Sequence, residues 1–117
     1  MTEEATGKEQ EYISIEDFAK VRMAVGLVTE AEPHPKADRL VVLRVSLGEE
    51  TRTLVAGMRK WYEPHEFVGK KVIVITNLKP AKLRGVESQG MILAAEHGDD
   101  VVLLTVDRDI PPGARVR

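Results

Sequence analysis

Leu40-Val41-Val42-Leu43-Arg44-Val45-Ser46-Leu47, then Gly48-Glu49-Glu50, then Thr51-Arg52-Thr53-Leu54-Val55-Ala56, reads as a β-hairpin. The first run is rich in β-branched residues, a Gly-led turn follows, and the second run returns at matching length. Gly57 ends it. Upstream, Val25, Leu27 and Val28 lead into Glu30-Ala31-Glu32, a further strand, and Pro33-His34-Pro35-Lys36-Ala37-Asp38 reads as a loop because two prolines block regular pairing. Downstream, residues 61–69 read as a short helix with Pro64 near its start and Gly69 after its end. Lys71-Val72-Ile73-Val74-Ile75-Thr76 is a strand apolar throughout, as burial on both faces requires. Residues 90–95 and Val101 to Leu104 form a second candidate hairpin across His97-Gly98-Asp99-Asp100.

The two ends of the chain read differently. Residues 1–12 (MTEEATGKEQEY) have no apolar periodicity and are expected to be a flexible acidic tail, with one domain over residues 13–117. Ser14 with Asp17 three residues on resembles a capping box, and one or two helical turns there would bury Ile15 and Phe18 on one face. Six or so short strands with one or two short helices make a small closed β-barrel the economical solution, since closure removes exposed edges. The expected fold is all-β: a five-stranded Greek-key barrel of the OB type with extra C-terminal strands. An SH3-like barrel is second.

Composition narrows the function. The 117 residues include 17 Lys and Arg against 19 Asp and Glu, a net charge of −2, and no cysteine. Disulfide scaffolds and thiolate sites are therefore excluded, which fits a cytoplasmic protein. No apolar run is long enough to cross a bilayer, and the acidic start is unlike a secretory signal. The near-neutral total hides an asymmetry, because residues 36–84 carry 11 basic and 5 acidic side chains between two acidic flanks. Such a block either scatters as solubilising charge or makes a local positive field that a polyanion feels. His34, His65 and His97 stand in separate turn contexts without metal-ligand spacing and read as surface histidines. With no nucleophile elbow and no phosphate-binding glycine loop, a non-catalytic protein without metal or cofactor is expected.

The connection from Thr76 to Met91 stands apart. Lys79, Lys82 and Arg84 fall within six positions, interleaved with Leu78 and Leu83, and Pro80 stiffens the backbone that carries them. Asn77, Ser88 and Gln89 can both donate and accept hydrogen bonds, as reading base edges or 2′-hydroxyls requires. Taken as composition, this is equally a binding site or a connecting loop whose Ser and Gln cap turns.

The run NLKPAKLRGVESQGMILAA, with VGLVTEAEPHPKADRL before it and GKKVIVITNLKP leading in, closely resembles the tRNA-binding OB-fold domain family. That domain occurs in small free-standing proteins and at the C-terminus of many methionyl-tRNA synthetases. The resemblance covers nearly the whole chain from Ile13 to Arg117. It implies an OB barrel and structure-specific, sequence-independent tRNA binding. It also implies a homodimer built partly from the C-terminal strands and the N-terminal segment, to which the apolar run Val101 to Leu104 adds weight. Carried over position by position, the RNA-contacting motif falls on Asn77, Lys79, Lys82, Arg84, Ser88, Gln89 and Met91. Met91 belongs to this set by the resemblance alone, since a Met heading an apolar strand is more often core. Ala81 departs from the Arg of many relatives, and Trp61 from a Tyr or His.

Aromatic residues number only five: Tyr12, Phe18, Trp61, Tyr62 and Phe67. Phe18 and Phe67 read as core, and core packing is favoured over base stacking for Trp61 and Tyr62. An electrostatic grip on a folded RNA backbone therefore outranks base-by-base stacking. Two alternatives are a C-terminal appendix of a methionyl-tRNA synthetase and a secretion-chaperone-like peptide binder on the same barrel. The Met at position 1 and the missing H-I-G-H and K-M-S-K-S signatures favour a free-standing protein with an aminoacyl-tRNA synthetase as a possible partner. The intact N-L-K-P string favours tRNA over peptide.

Overall fold

The computed structural model describes residues 11–117. Residues 1–10, most of the expected tail, lie outside the described residues. A short helix α1 (Ile15–Phe18) comes first, followed by strands β1 (Met23–Pro33), β2 (Val41–Ser46) and β3 (Thr51–Ala56). Helix α2 (Pro64–Phe67) and strand β4 (Lys71–Ile75) follow. Six further strands complete the chain: β5 (Ala81–Leu83), β6 (Val86–Ser88), β7 (Met91–Ile92), β8 (Ala94–His97), β9 (Asp100–Leu103) and β10 (Arg115–Val116).

The hairpin read from residues 40–56 is present, with Val41 opposite Ala56 and Leu43 opposite Leu54. Its alternation sends Val41, Leu43 and Val45 inward, fully buried, while Arg44 faces solvent. Antiparallel pairing runs in the order β3-β2-β1-β4-β7, with β10 also on β1. β1 can serve two neighbours in turn because its register shifts between Val28 and Glu30, a bulge that bends the strand from β4 onto β2. At Gly26 the barrel is too tight for any side chain: a Cβ would stand 2.4 Å from Val45 Cγ1. The sheet curls until β3 meets β6 and β7. There the Gln89 N–H donates to Thr53 O at 2.8 Å, so closure is completed by the arm and not by one continuous strand pair. The result is an all-β, OB-like barrel. Its core is Val28, Leu43, Leu54, Met58, Phe67, Val72 and Val74 with their neighbours.

The predicted second hairpin is split. β7 pairs with β4 and the Leu93 N–H still donates to Ile73 O, so only residues 94–97 pair with 100–103. That hairpin lies over the two aromatics, where Trp61 Nε1–H donates to Asp99 O at 2.8 Å and the Leu103 N–H donates to Tyr62 Oη at 3.1 Å. Both rings pack against the core. The helix at Ser14 forms as read, with the Asp17 N–H donating to Ser14 Oγ at 3.0 Å. The burial expected of Ile15 and Phe18 does not occur: both stay substantially exposed, because none of the described residues covers that apolar face. Phe18 is not core; Phe67 is, completely. Among the described residues no helix is long and apolar enough to cross a membrane.

Candidate nucleic-acid interface

The basic connection is a structured arm, not a loop. Residues 81–83 pair with 86–88, and the turn between them holds two positive φ values, 53° at Arg84 and 93° at Gly85. A two-residue hairpin turn of this hand demands that geometry, and Gly85 supplies half of it without strain. The turn sets Arg84 at the tip of the arm, with Lys82 on the strand before it and Lys79 nearer the root. All three side chains lie exposed.

Of the seven residues singled out by the sequence, three hold backbone. Ser88 is only 4% exposed; its Oγ accepts the Val55 N–H at 2.9 Å and donates to Gly90 O at 3.0 Å. Gln89 accepts the Thr53 N–H on Oε1 at 2.9 Å. Asn77 accepts the Arg22 N–H at 2.9 Å and donates to Lys20 O at 2.6 Å, tying the arm's root to the segment after α1. Each satisfies backbone groups that the strand ladder leaves over, at the barrel seam or the arm's root, and Ser88 has its hydroxyl wholly committed there. Lys79, Lys82, Arg84 and Met91 remain turned to solvent.

Two residues that the sequence did not single out act on the same arm. Arg52 on β3 donates through Nη1 to Thr76 O at 2.7 Å and to Gln89 O at 3.1 Å, so one guanidinium fastens both ends of the arm. It is itself held by Glu50, whose two oxygens accept from Nε and Nη2 at 3.0 and 3.3 Å. That hydrogen bonding, with the guanidinium's charge, keeps the Glu50 carboxyl below its ordinary value. At the other end, His34 is 5% exposed, which corrects its reading as a surface histidine. Its Nδ1 accepts the Lys36 N–H at 3.0 Å, and Nε2 stands 3.0 Å from Leu83 O. A carbonyl only accepts, so the ring carries its hydrogen on Nε2 and donates it to the arm. The proline on each side of His34 was the only hint that its loop is stiff. His65 and His97 are exposed as expected.

Beside the arm runs a groove of about 390 Å³, floored by Val55, Met58 and Ile92 and walled by Leu78, Leu83 and Met91. Lys79 stands on its rim. A second hollow, about 660 Å³, lies between α1 and β10; Phe18, Val21, Met23 and Val116 line it together with Arg22, Arg115 and Arg117, and it reaches Thr76 at the arm's root. The arm thus sets exposed cations beside an apolar groove, whereas the second hollow mixes apolar side chains with arginines.

Residues 23–115 match the family model described as "Putative tRNA binding domain". The methionine–tRNA ligase of Pyrococcus horikoshii is 54% identical over 110 residues, which is 94% of this chain and 15% of that protein. That of Deinococcus radiodurans is 55% identical over 106 residues, 90% of this chain and 16% of the ligase. The chain thus spans about a sixth of the length of these relatives. Among solved structures, a MetRS-related protein from Pyrococcus horikoshii superposes with a TM-score of 0.88 at 44% identity, covering 92% of this chain and all of the other. The chaperone CsaA of Bacillus anthracis superposes with a TM-score of 0.84 at 27% identity, with the same coverage of each.

Proposed function

This chain belongs to the tRNA-binding domain family, and from that premise we propose that it binds folded RNA, tRNA above all, through the 77–91 arm without catalysing a reaction. The observation that carries the reading is the arm's construction. Three cations, Lys79, Lys82 and Arg84, ride on a hairpin fastened at its root by Asn77 and Arg52, at its seam by Ser88 and Gln89, and at its tip by His34. Solubilising lysines need no such scaffold. A phosphate backbone of fixed spacing rewards it, because less side-chain and backbone freedom is lost on contact.

In this reading Asn77, Ser88 and Gln89 serve the site by positioning, while Lys79, Lys82, Arg84 and Met91 face the RNA. Trp61 and Tyr62 are engaged in packing, so affinity rests on charge rather than on a stacking platform. The exposed apolar residues Ile13, Ile15 and Phe18, with the hollow against β10, support a homodimer that would set two arms on one RNA. The ligase relatives support a place beside or within an aminoacyl-tRNA synthetase in the cytoplasm, where the domain would raise tRNA affinity while catalysis proceeds elsewhere.

Fluorescence anisotropy against unfractionated tRNA, an unstructured RNA of equal length and a plain duplex tests the function. The expected result is a preference for tRNA that weakens steeply with salt. The likeness to CsaA gives a second reading, peptide binding, which predicts no preference among the RNAs and little response to salt.

A further inference from the structure

We propose that the groove beside the arm is a slot for one unstacked nucleobase, an inference that rests on the RNA-binding function proposed above. Leu78, Leu83 and Met91 are 47, 38 and 46% exposed, although they lie among the cations of a binding arm. A surface that gripped phosphates alone would gain nothing from three large apolar side chains held in water. They converge on the groove with Val55, Met58 and Ile92 as its floor. Its 390 Å³ lies near the lower end of small-molecule pockets, which suits one base and not a stack of several. The walls offer aliphatic groups and a thioether to the two faces of a flat ring, contacts that methionine sulfur makes well with aromatic systems. Lys79 on the rim, with Lys82 and Arg84 along the arm, would meet the phosphates on either side of the extruded nucleotide. That charge complementarity favours a nucleic acid over an apolar peptide.

Apart from Lys79 on the rim, which the flanking phosphates engage in this proposal, no lining side chain is free to read base identity. Ser88 supplies the one hydroxyl among the described lining residues, and its hydrogen is committed to Gly90 O while it accepts the Val55 N–H. Every base has an apolar face, so the slot takes any of the four. Unstacking costs least for a nucleotide that is already unpaired. The slot therefore selects a place in a folded RNA where a base is free. It reads shape and ignores sequence.

The test compares a plain RNA duplex, the same duplex with one bulged nucleotide, and the same bulge made abasic, each bound to the unaltered chain. The bulged duplex should bind about two- to tenfold more tightly than the plain one. The abasic bulge should lose that gain, and the identity of the bulged base should not matter. Leu83→Lys, which adds a cation at an exposed position, separates the mechanisms further. The slot predicts loss of the bulge preference with duplex binding kept or raised, and Met91→Ala should reduce the same preference. Equal binding of the abasic bulge, or uniform tightening of all three RNAs by Leu83→Lys, overturns the slot while leaving RNA binding intact. Displacement of the bulge preference by an apolar peptide also overturns it and assigns the groove to that ligand. Absence of binding to any RNA, tRNA included, overturns the function on which the slot rests. Where either variant melts early, the abasic comparison on the unaltered chain decides.

Discussion

Two hairpins in this barrel are built on opposite principles. The β2–β3 hairpin makes six residue pairs and sends Val41, Leu43, Val45 and Leu54 into the core, so burial alone holds it in register. The β5–β6 hairpin makes three pairs, and only Ser88 among its residues is buried. It keeps its place through ties from outside: Arg52 at the root, Ser88 and Gln89 at the seam, His34 at the tip. The first hairpin is where stability comes from. The second has its side chains free for a partner and its backbone fixed by polar contacts, which is how a small barrel obtains a rigid yet exposed binding element.

The contrast breaks first at the core. Phe67→Ala, at a fully buried site, should cost about 3–5 kcal/mol in a denaturant titration and leave the affinity of the folded fraction unchanged. Equal loss of affinity at full folding would mean that core and arm are not separable. Ser88→Ala lies on the boundary between the two. It leaves the buried Val55 N–H without its partner and should cost about 1–3 kcal/mol, with faster hydrogen exchange at the arm's amides. His34→Ala should cost about 1 kcal/mol or less where water replaces the ring, yet weaken RNA binding. Because no cation is lost, the salt dependence of binding should stay as it was. A changed slope would show that His34 acts through charge and not by positioning Leu83 and the tip.

The smallest effect concerns the Glu50–Arg52 pair. Glu50 titrates below its ordinary value of 4.5 in the folded state, so it binds fewer protons folded than unfolded. Its contribution is present above that ordinary value and is lost as pH falls through the lower folded value. Melting curves of Glu50→Gln should therefore differ slightly from the unaltered chain at pH 7 and converge with it in stronger acid. Divergence growing with acidity would contradict the assignment.

How far the molecule was legible differs between the same two regions. Residues 40–56 and 71–75 declared their strands because alternation or continuous β-branched runs record burial directly. The three-residue strands of the arm carry no such pattern, and their pairing depends on Arg84 and Gly85 adopting positive φ together. Asn77, Ser88 and Gln89 stood out for hydrogen-bonding capacity, but the same chemistry serves RNA and backbone alike, and sequence does not say which partner is near. His34 was passed over because a histidine between prolines shows nothing of the Leu83 carbonyl 49 positions away. Ile15 and Phe18 showed an apolar face, but the burial and the core place read from it do not occur, since i, i+3 spacing records a face and not what lies against it. Arg52 read as an ordinary strand arginine, for its targets Thr76 O and Gln89 O meet only once the barrel closes.

The measurement that bears most directly on the account is the salt dependence of tRNA affinity for the unaltered chain and for Lys79→Glu with Lys82→Glu. If the arm carries the binding, the double variant melts as before and binds at least about tenfold more weakly, with a slope shallower by about one to two. Affinity and slope that both stay the same would contradict the account and move the interface away from the 77–91 arm.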